Sequence, residues 1–362
     1  MGHRPPLDRL LYSSILVEYH QLGRTGVQVS RLCLGTMNFG GRTDDAEASS
    51  IIDLALSEGI NFIDTANVYG HDPLDFDTGR GRSEEIVGRS LQRSGRRDQV
   101  VLATKAHFPM STDPNDQGNS RRHIIQQCEA SLRRLGTDWI DLFQLHHPSN
   151  DVPIDETLRA LDDLVRAGKV RYIGTSSFAA WQLVEALWVS KELSLNRVVC
   201  EQPVYNLLDR RAERELLPMA QTYGVAVIPW SPSAGGFFSG RYQRDEPVPE
   251  DSRYATLWSG ANVTGNGAFD ILETVTEVAQ EKGCEPLQVA LRWCMQQPGV
   301  TSPIIGPRTV EQLKSSIATL QMTLTDEDLH QLDVVASPGQ MTVPFYGADG
   351  FAWTTWGPHR YR

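Results

Sequence analysis

Short β-branched apolar runs alternate with longer amphipathic stretches along most of the chain. The runs occupy 31–36 (RLCLGT), 60–64 (INFID), 99–105 (QVVLATK), 139–146 (WIDLFQLH), 170–176 (VRYIGTS), 197–202 (RVVCEQ), 225–231 (VAVIPWS) and 300–306 (VTSPIIG). Each has the length and residue types of a strand. Between and after them, helical periodicity covers 44–58, 83–93, 120–135, 155–167, 179–192, 210–223, 268–282, 286–297, 309–320 and 326–336. Asp44, Asp45 and Ser120 sit where N-caps belong, and Gly136, Gly168 and Gly224 where helices stop. Pro286 sits at a helix start.

Strands alternating with helices imply parallel βαβ units. Eight of them predict an α/β fold of the (β/α)8 TIM-barrel type. The alternative is a doubly wound sheet, which would usually carry G-x-G-x-x-G after its first strand. None follows RLCLGT, and the nearest match, TGRGRS (78–83), lies in a later loop. Walker A and G-x-S-x-G motifs are also absent. The expectation is a single domain over 1–362, with a barrel core of about 30–335 and an N-terminal extension over 1–16. Residues 17–21 and 27–30 predict a β-hairpin around Gly23 to Gly26, placed to plug the barrel floor. Long loops fall at 66–82 and 232–267, the second able to fold over a ligand. An aromatic tail occupies 338–362, either packed on the barrel or lining a substrate pocket.

Composition narrows the function classes. The chain is 40% hydrophobic and 22% charged, enough for a sizeable core and against wholesale disorder. A net charge of -11 disfavours nucleic acid as a partner. No apolar run reaches the ~18 residues of a membrane span, and the N-terminus lacks a signal peptide's apolar region. Five scattered cysteines without a C-x-x-C pair read as reduced, buried thiols, hence a cytoplasmic setting. The sequence carries no signal for an oligomeric state.

In such barrels the chemistry lies at the C-terminal strand ends. Those ends present Asp64, Lys105, His146, Ser176, Gln202 and Trp230–Ser231, with Tyr69 just past the second strand. Ionisable groups on otherwise apolar strands are costly unless paired, and Asp64, Lys105 and Tyr69 can satisfy one another. Together with His146 they suit carbonyl reduction. The reaction makes an alkoxide that needs a proton donor, and a tyrosine serves if a neighbouring ammonium lowers its pKa. A carboxylate holds that ammonium, and a neutral histidine orients the carbonyl oxygen. No metal is required.

The motifs NFIDTANVYG (61–70), LATK (102–105), DLFQLHHP (141–148), YIGTSSF (172–178) and IIGPRTVEQL (304–313) resemble those of the aldo-keto reductase superfamily, in the family's order. The resemblance implies Tyr69 as general acid/base, Lys105 and Asp64 as its tuning pair, and His146 as the carbonyl-orienting residue. It implies Ser176 and Gln202 on the nicotinamide amide and Trp230 on its ring face. Ser231 and the loop through Gly235, Gly236 and Arg241 would lie beside the pyrophosphate. Gly306, Arg308, Gln312 and Ser316 would lie at the adenosine end, with NADPH favoured over NADH. Two positions depart from the pattern: Ser177 stands where many members have Asn, and Ser315–Ser316 where many have Glu-Asn. The stretches 18–40, 230–242 and 306–313 are similar to the subgroup of potassium-channel β-subunits and actinomycete deoxysugar reductases. The match is especially close to NDP-4-keto-6-deoxyhexose 2,3-reductases. A nucleotide-linked keto-deoxyhexose is therefore the specific substrate expectation, beside general aldehydes and ketones. A binding subunit that senses redox state through NADPH is the alternative class.

Other polar residues have plainer readings. Glu84 and Glu85 read as a solvated first helical turn, and Arg121–Arg122 and Arg210–Arg211 as helix surface. His147 reads as a structural neighbour facing away from His146, because adjacent strand residues point to opposite faces. His71 and His107 are loop residues outside any ligand pattern, and no metal site is expected.

Overall fold

A computed structural model describes residues 17–70, 78–255, 263 and 267–343. The expected extension over 1–16, His71, parts of both long loops and the tail from 344 onward lie outside the described residues. A two-stranded antiparallel hairpin, β1 (Tyr19–Gln21) and β2 (Gln28–Ser30), comes first. Then follow β3 (Cys33–Gly35), α1 (Asp45–Ser57), β4 (Phe62–Asp64), α2 (Arg82–Ser94), β5 (Val101–Ala106), α3 (Arg121–Leu135), β6 (Ile140–Leu145) and α4 (Ile154–Arg166). The second half holds β7 (Val170–Ser176), α5 (Ala180–Glu192), β8 (Val198–Gln202), α6 (Leu216–Tyr223) and β9 (Ala226–Val227). It ends with α7 (Ala268–Lys282), α8 (Pro286–Gln296), β10 (Ile304–Ile305), α9 (Val310–Ala318) and α10 (Asp326–Val335).

The eight later strands form one parallel sheet in the order β10-β3-β4-β5-β6-β7-β8-β9. Its two ends meet: Thr301 N–H donates to Val227 O and Ile304 N–H to Pro229 O, each at 2.8 Å. This is the (β/α)8 barrel that the alternation predicts. Strands β9 and β10 are shorter than the apolar runs around them because Pro229 and Pro303 donate no ladder bond.

Period-two alternation divides the strand residues into two cores. Cys33, Phe62, Ala103, Leu142, Cys200 and Ala226 point inward and pack with Leu22 of the hairpin. Leu34, Ile63, Leu102, Phe143 and Val227 point outward and join the helices. The hairpin closes this inner floor. Its turn needs glycine: Gly23 has φ +58°, and a Cβ there would lie 2.6 Å from Val199 O. Arg31 anchors the same end by donating to Val300 O and Thr301 O, both at 2.8 Å.

Two surface expectations fail. Glu84 is fully buried, accepting from Thr104 Oγ1 at 2.5 Å and from Arg134 Nε at 2.6 Å. Helix α2 lies so close to the end of α3 that a Cβ on Gly88 would meet Leu135 O at 2.5 Å, which brings Arg134 over Glu84. Arg210 is also buried. It pairs with Glu213 and Asp333, donates to Ala336 O, and stacks 5.0 Å from the Trp293 ring centroid. These bonds hold 210–213 out of the expected helix, so α6 begins only at Leu216. Arg211 forms a two-point pair with Asp209 rather than facing solvent.

Glu84→Ala leaves buried Thr104 without its acceptor and half-buried Arg134 unpaired, and is expected to cost about 1–3 kcal/mol of stability, read as a lower urea midpoint. Gly88→Ala is expected to lower it also, by displacing α3.

Candidate active site

The polar layer lies one residue step above the apolar floor. On β4 the inward series runs Phe62, Asp64; on β5 Ala103, Lys105; on β6 Leu142, Gln144; on β8 Cys200, Gln202. Asp64 is the hub. Its Oδ2 pairs with Lys105 Nζ, and its Oδ1 accepts from Gln144 Nε2 at 2.9 Å and Gln202 Nε2 at 3.0 Å. Lys105 is wholly buried and also donates to Thr65 O at 2.9 Å. Burial alone would lower the Lys105 pKa, but the charge and hydrogen bond of Asp64 outweigh it and hold the ammonium above its usual range.

Tyr69 leaves the barrel wall just beyond β4. The turn is tied by Thr65 N–H to Ala103 O and Asn67 N–H to Lys105 O. Its own carbonyl accepts from Gly81 and Ser83. The tyrosine ring lies 5.0 Å from Lys105 Nζ, and its hydroxyl is 3.4 Å from His146 Nε2. Burial raises the Tyr69 pKa and outweighs the lowering by Lys105. The expected depression is therefore reversed in this state, and the phenol stays protonated at neutral pH. His146 is driven well below the imidazole range, first by burial and then by Lys105, His147 and His107. It is neutral.

His147 does not face away from the cavity. Strand β6 ends at Leu145, so the strand rule no longer governs the doublet. Both rings line the cavity and flank Phe108, with centroids 4.7 Å and 5.2 Å away. Burial and His107 push His147 down to about 3. His107 itself bonds Asn119 at 2.9 Å.

One cavity of about 1250 Å³ gathers nearly all the expected residues. Asp64, Tyr69, His146, Ser176, Gln202 and Trp230 line it, as do Ser231, Arg241, Gly306, Arg308, Gln312 and Ser316. Lys105 lies beneath this wall. Ser176 Oγ donates to Gln202 O at 3.0 Å, which joins β7 and β8 at the rim. Ser231 has φ +56°, and its Oγ accepts from Gly235 N–H at 2.8 Å. Asn38 Nδ2 donates to Gly306 O at 2.9 Å. Gln312 Oε1 accepts from the Arg308 N–H at 2.8 Å, and Ser316 Oγ bonds back to Gln312 O at 3.0 Å.

The described part of the second long loop does reach the cavity. Asp251 pairs with Arg241 and lies 3.5 Å from Arg308 Nη1, while Arg42 donates to its carbonyl at 3.1 Å. Gln144, Phe108, Asp251 and Arg253 are absent from the sequence-based site. Gln144 was accessible by period two from His146. The others come from loops, where no periodicity operates.

The aldo/keto reductase family pattern matches residues 31–337. The chain is 42% identical over 337 residues to an uncharacterized oxidoreductase, YrpG, of Bacillus subtilis, covering 91% of this chain and 99% of that protein. It is 35% identical over 328 residues to a rice protein named "Probable voltage-gated potassium channel subunit beta", covering 88% and 96%. It is 33% identical over 343 residues to the versiconal hemiacetal acetate reductase of Aspergillus parasiticus, covering 88% and 96%. With a fold and site of this kind, the chain belongs to the aldo/keto reductase family and is an NAD(P)H-dependent oxidoreductase.

Proposed function

We propose that the cavity takes NADPH beside a carbonyl substrate, and that Tyr69 hands its proton to the carbonyl oxygen as charge develops there. The observation that carries this reading is the Tyr69 hydroxyl, 3.4 Å from a neutral His146, above the buried Asp64–Lys105 pair. Burial keeps the tyrosine loaded with its proton before substrate arrives. Lys105, held by Asp64 and Thr65, places a fixed positive charge beneath the ring and steadies the tyrosinate left behind. Neutral His146 orients the oxygen through a hydrogen bond without adding a second charge. Phe108 and His147 wall this end and limit water.

The donor set fits a dinucleotide. Ser176 and Gln202 offer hydroxyl and amide groups, and Trp230 an aromatic face. Ser231 and Arg241 suit a pyrophosphate, and Gly306, Arg308, Gln312 and Ser316 an adenosine end. When bound, the nicotinamide supplies the hydride. Arg308 supports NADPH over NADH, because a guanidinium pairs well with a phosphate. For the substrate we propose a nucleotide-linked keto-deoxyhexose. The cavity exceeds the roughly 300–1,000 Å³ of ordinary ligand sites, which leaves room for a bulky ketone beside the cofactor. The cysteines, all free thiols, support a cytoplasmic setting.

One observation favours a second reading, the similarity to proteins named as potassium channel β-subunits. On that reading the chain holds NADPH and regulates a partner. Steady-state turnover separates the two: a reductase consumes NADPH with a carbonyl panel that includes a keto-sugar nucleotide, and a sensor binds it without turnover.

Tyr69→Phe is expected to lower kcat by about 100- to 10,000-fold, with NADPH affinity, read by fluorescence titration, within about twofold of wild type. Arg308→Ala is expected to weaken NADPH by about ten- to a hundredfold and to leave NADH nearly unchanged. Equal losses for both nucleotides would place Arg308 away from the 2′-phosphate.

A further inference from the structure

Glu201 is a buried carboxyl group that the chemistry above leaves unused. It directly precedes Gln202 on β8, so alternation turns it out of the cavity, toward the turn that leads from β7 into α5. Its register partner is Thr175, just as Gln202 pairs with Ser176. Glu201 Oε1 accepts from Phe178 N–H at 3.1 Å, and Oε2 shares a hydrogen bond with Thr175 Oγ1. Thr175 Oγ1 in turn lies 3.4 Å from Cys200 O. The turn between these contacts is strained: Ser177 has φ +61°, a left-handed conformation that costs a non-glycine residue energy. Both Ser176 and Ser177 line the cavity.

We propose that Glu201, as a neutral acid, is the positioning residue that holds the Ser176–Phe178 turn, and through it Ser176, in the geometry that receives the cofactor. In that form Oε2 donates to Thr175 Oγ1, Thr175 donates to Cys200 O, and Oε1 accepts from Phe178. Every proton then has an acceptor. An ionised Glu201 meets no cation among the described residues. Among the described residues no Lys, Arg or His forms an ion pair with it. Strand β9 faces it with Val227, and the ionisable group beside it on β8 is the Cys200 thiol. Glu185, Lys191 and Glu192, the charged residues of α5, are all exposed. Burial accordingly pushes the Glu201 carboxyl up to about 8, despite the lowering by Thr175 and the turn amides. Glutamine reproduces the neutral acid, with an amide donor toward Thr175 and a carbonyl toward Phe178.

The inference rests on Ser176 and Gln202 being cofactor contacts, and its test keeps the two readings apart. NADPH is titrated by fluorescence against wild type, Glu201→Gln, Glu201→Ala and Thr175→Val at pH 7.5 and pH 9.5, with kcat and KM for NADPH measured beside it. At pH 7.5, Glu201→Gln is expected to match wild type. Glu201→Ala and Thr175→Val are expected to weaken NADPH about tenfold, with kcat at saturation within about twofold. Between pH 7.5 and pH 9.5, wild type is expected to lose several-fold more affinity than Glu201→Gln, as the wild-type acid ionises and the amide does not. Identical pH profiles for wild type and Glu201→Gln would overturn the proposal, as would a glutamine variant as weak as Thr175→Val. If Glu201→Ala does not fold, the glutamine and valine variants decide the matter. Wild type that binds no NADPH would instead overturn the cofactor reading itself.

Discussion

The site depends on one buried ion pair. Lys105 and Asp64 stand inside a barrel whose next layer down is Phe62, Ala103 and Leu142. Removing two charges from water costs several kcal/mol each and is offset only when geometry and further hydrogen bonds are good. The barrel meets that condition with Gln144 and Gln202 on Asp64 and Thr65 O on Lys105. These bonds tie β4, β5, β6 and β8 together at their C-terminal ends. The same pair sets the electrostatics above it: its ammonium stabilises negative charge on Tyr69 and disfavours positive charge on His146.

Burial and charge act in opposite directions on Tyr69, and in this state burial prevails. That order suits a proton donor. An ionised tyrosine has nothing to give, whereas a protonated one above a fixed ammonium gives up its proton most readily when a neighbouring oxygen becomes basic. Burial has the complementary effect on the histidines. His146 and His147 remain neutral, so the cavity wall beside Tyr69 carries hydrogen-bonding capacity without competing charge.

The other side of the cavity is governed by arginines rather than by a buried pair. Arg241 and Arg308 converge on Asp251, which is exposed and belongs to the long loop after β9. Exposed pairs of this kind contribute little to stability. They leave the guanidinium groups available to an anion at modest cost, in contrast to the rigid centre around Asp64.

The sequence by itself determined the barrel, the strand and helix order, and the residues at the strand ends, Asp64, Lys105, His146, Ser176 and Gln202. These are local properties: a period of two or of 3.6, a cap, a glycine stop and a polar residue ending an apolar run are each legible within a few positions. Packing across elements decided the rest. Glu84 has the local signature of a solvated helical turn, yet the close approach of α3 at Gly88 buries it under Arg134. Arg210 has the signature of helix surface, yet Asp333 and Trp293 from distant segments, with Glu213 three residues on, enclose it. His147 joined the cavity because β6 stops one residue before the doublet. Phe108 and Asp251 entered on loops. Whether a polar group meets water or another chain segment depends on contacts tens to hundreds of residues away, and only the tertiary structure supplies them.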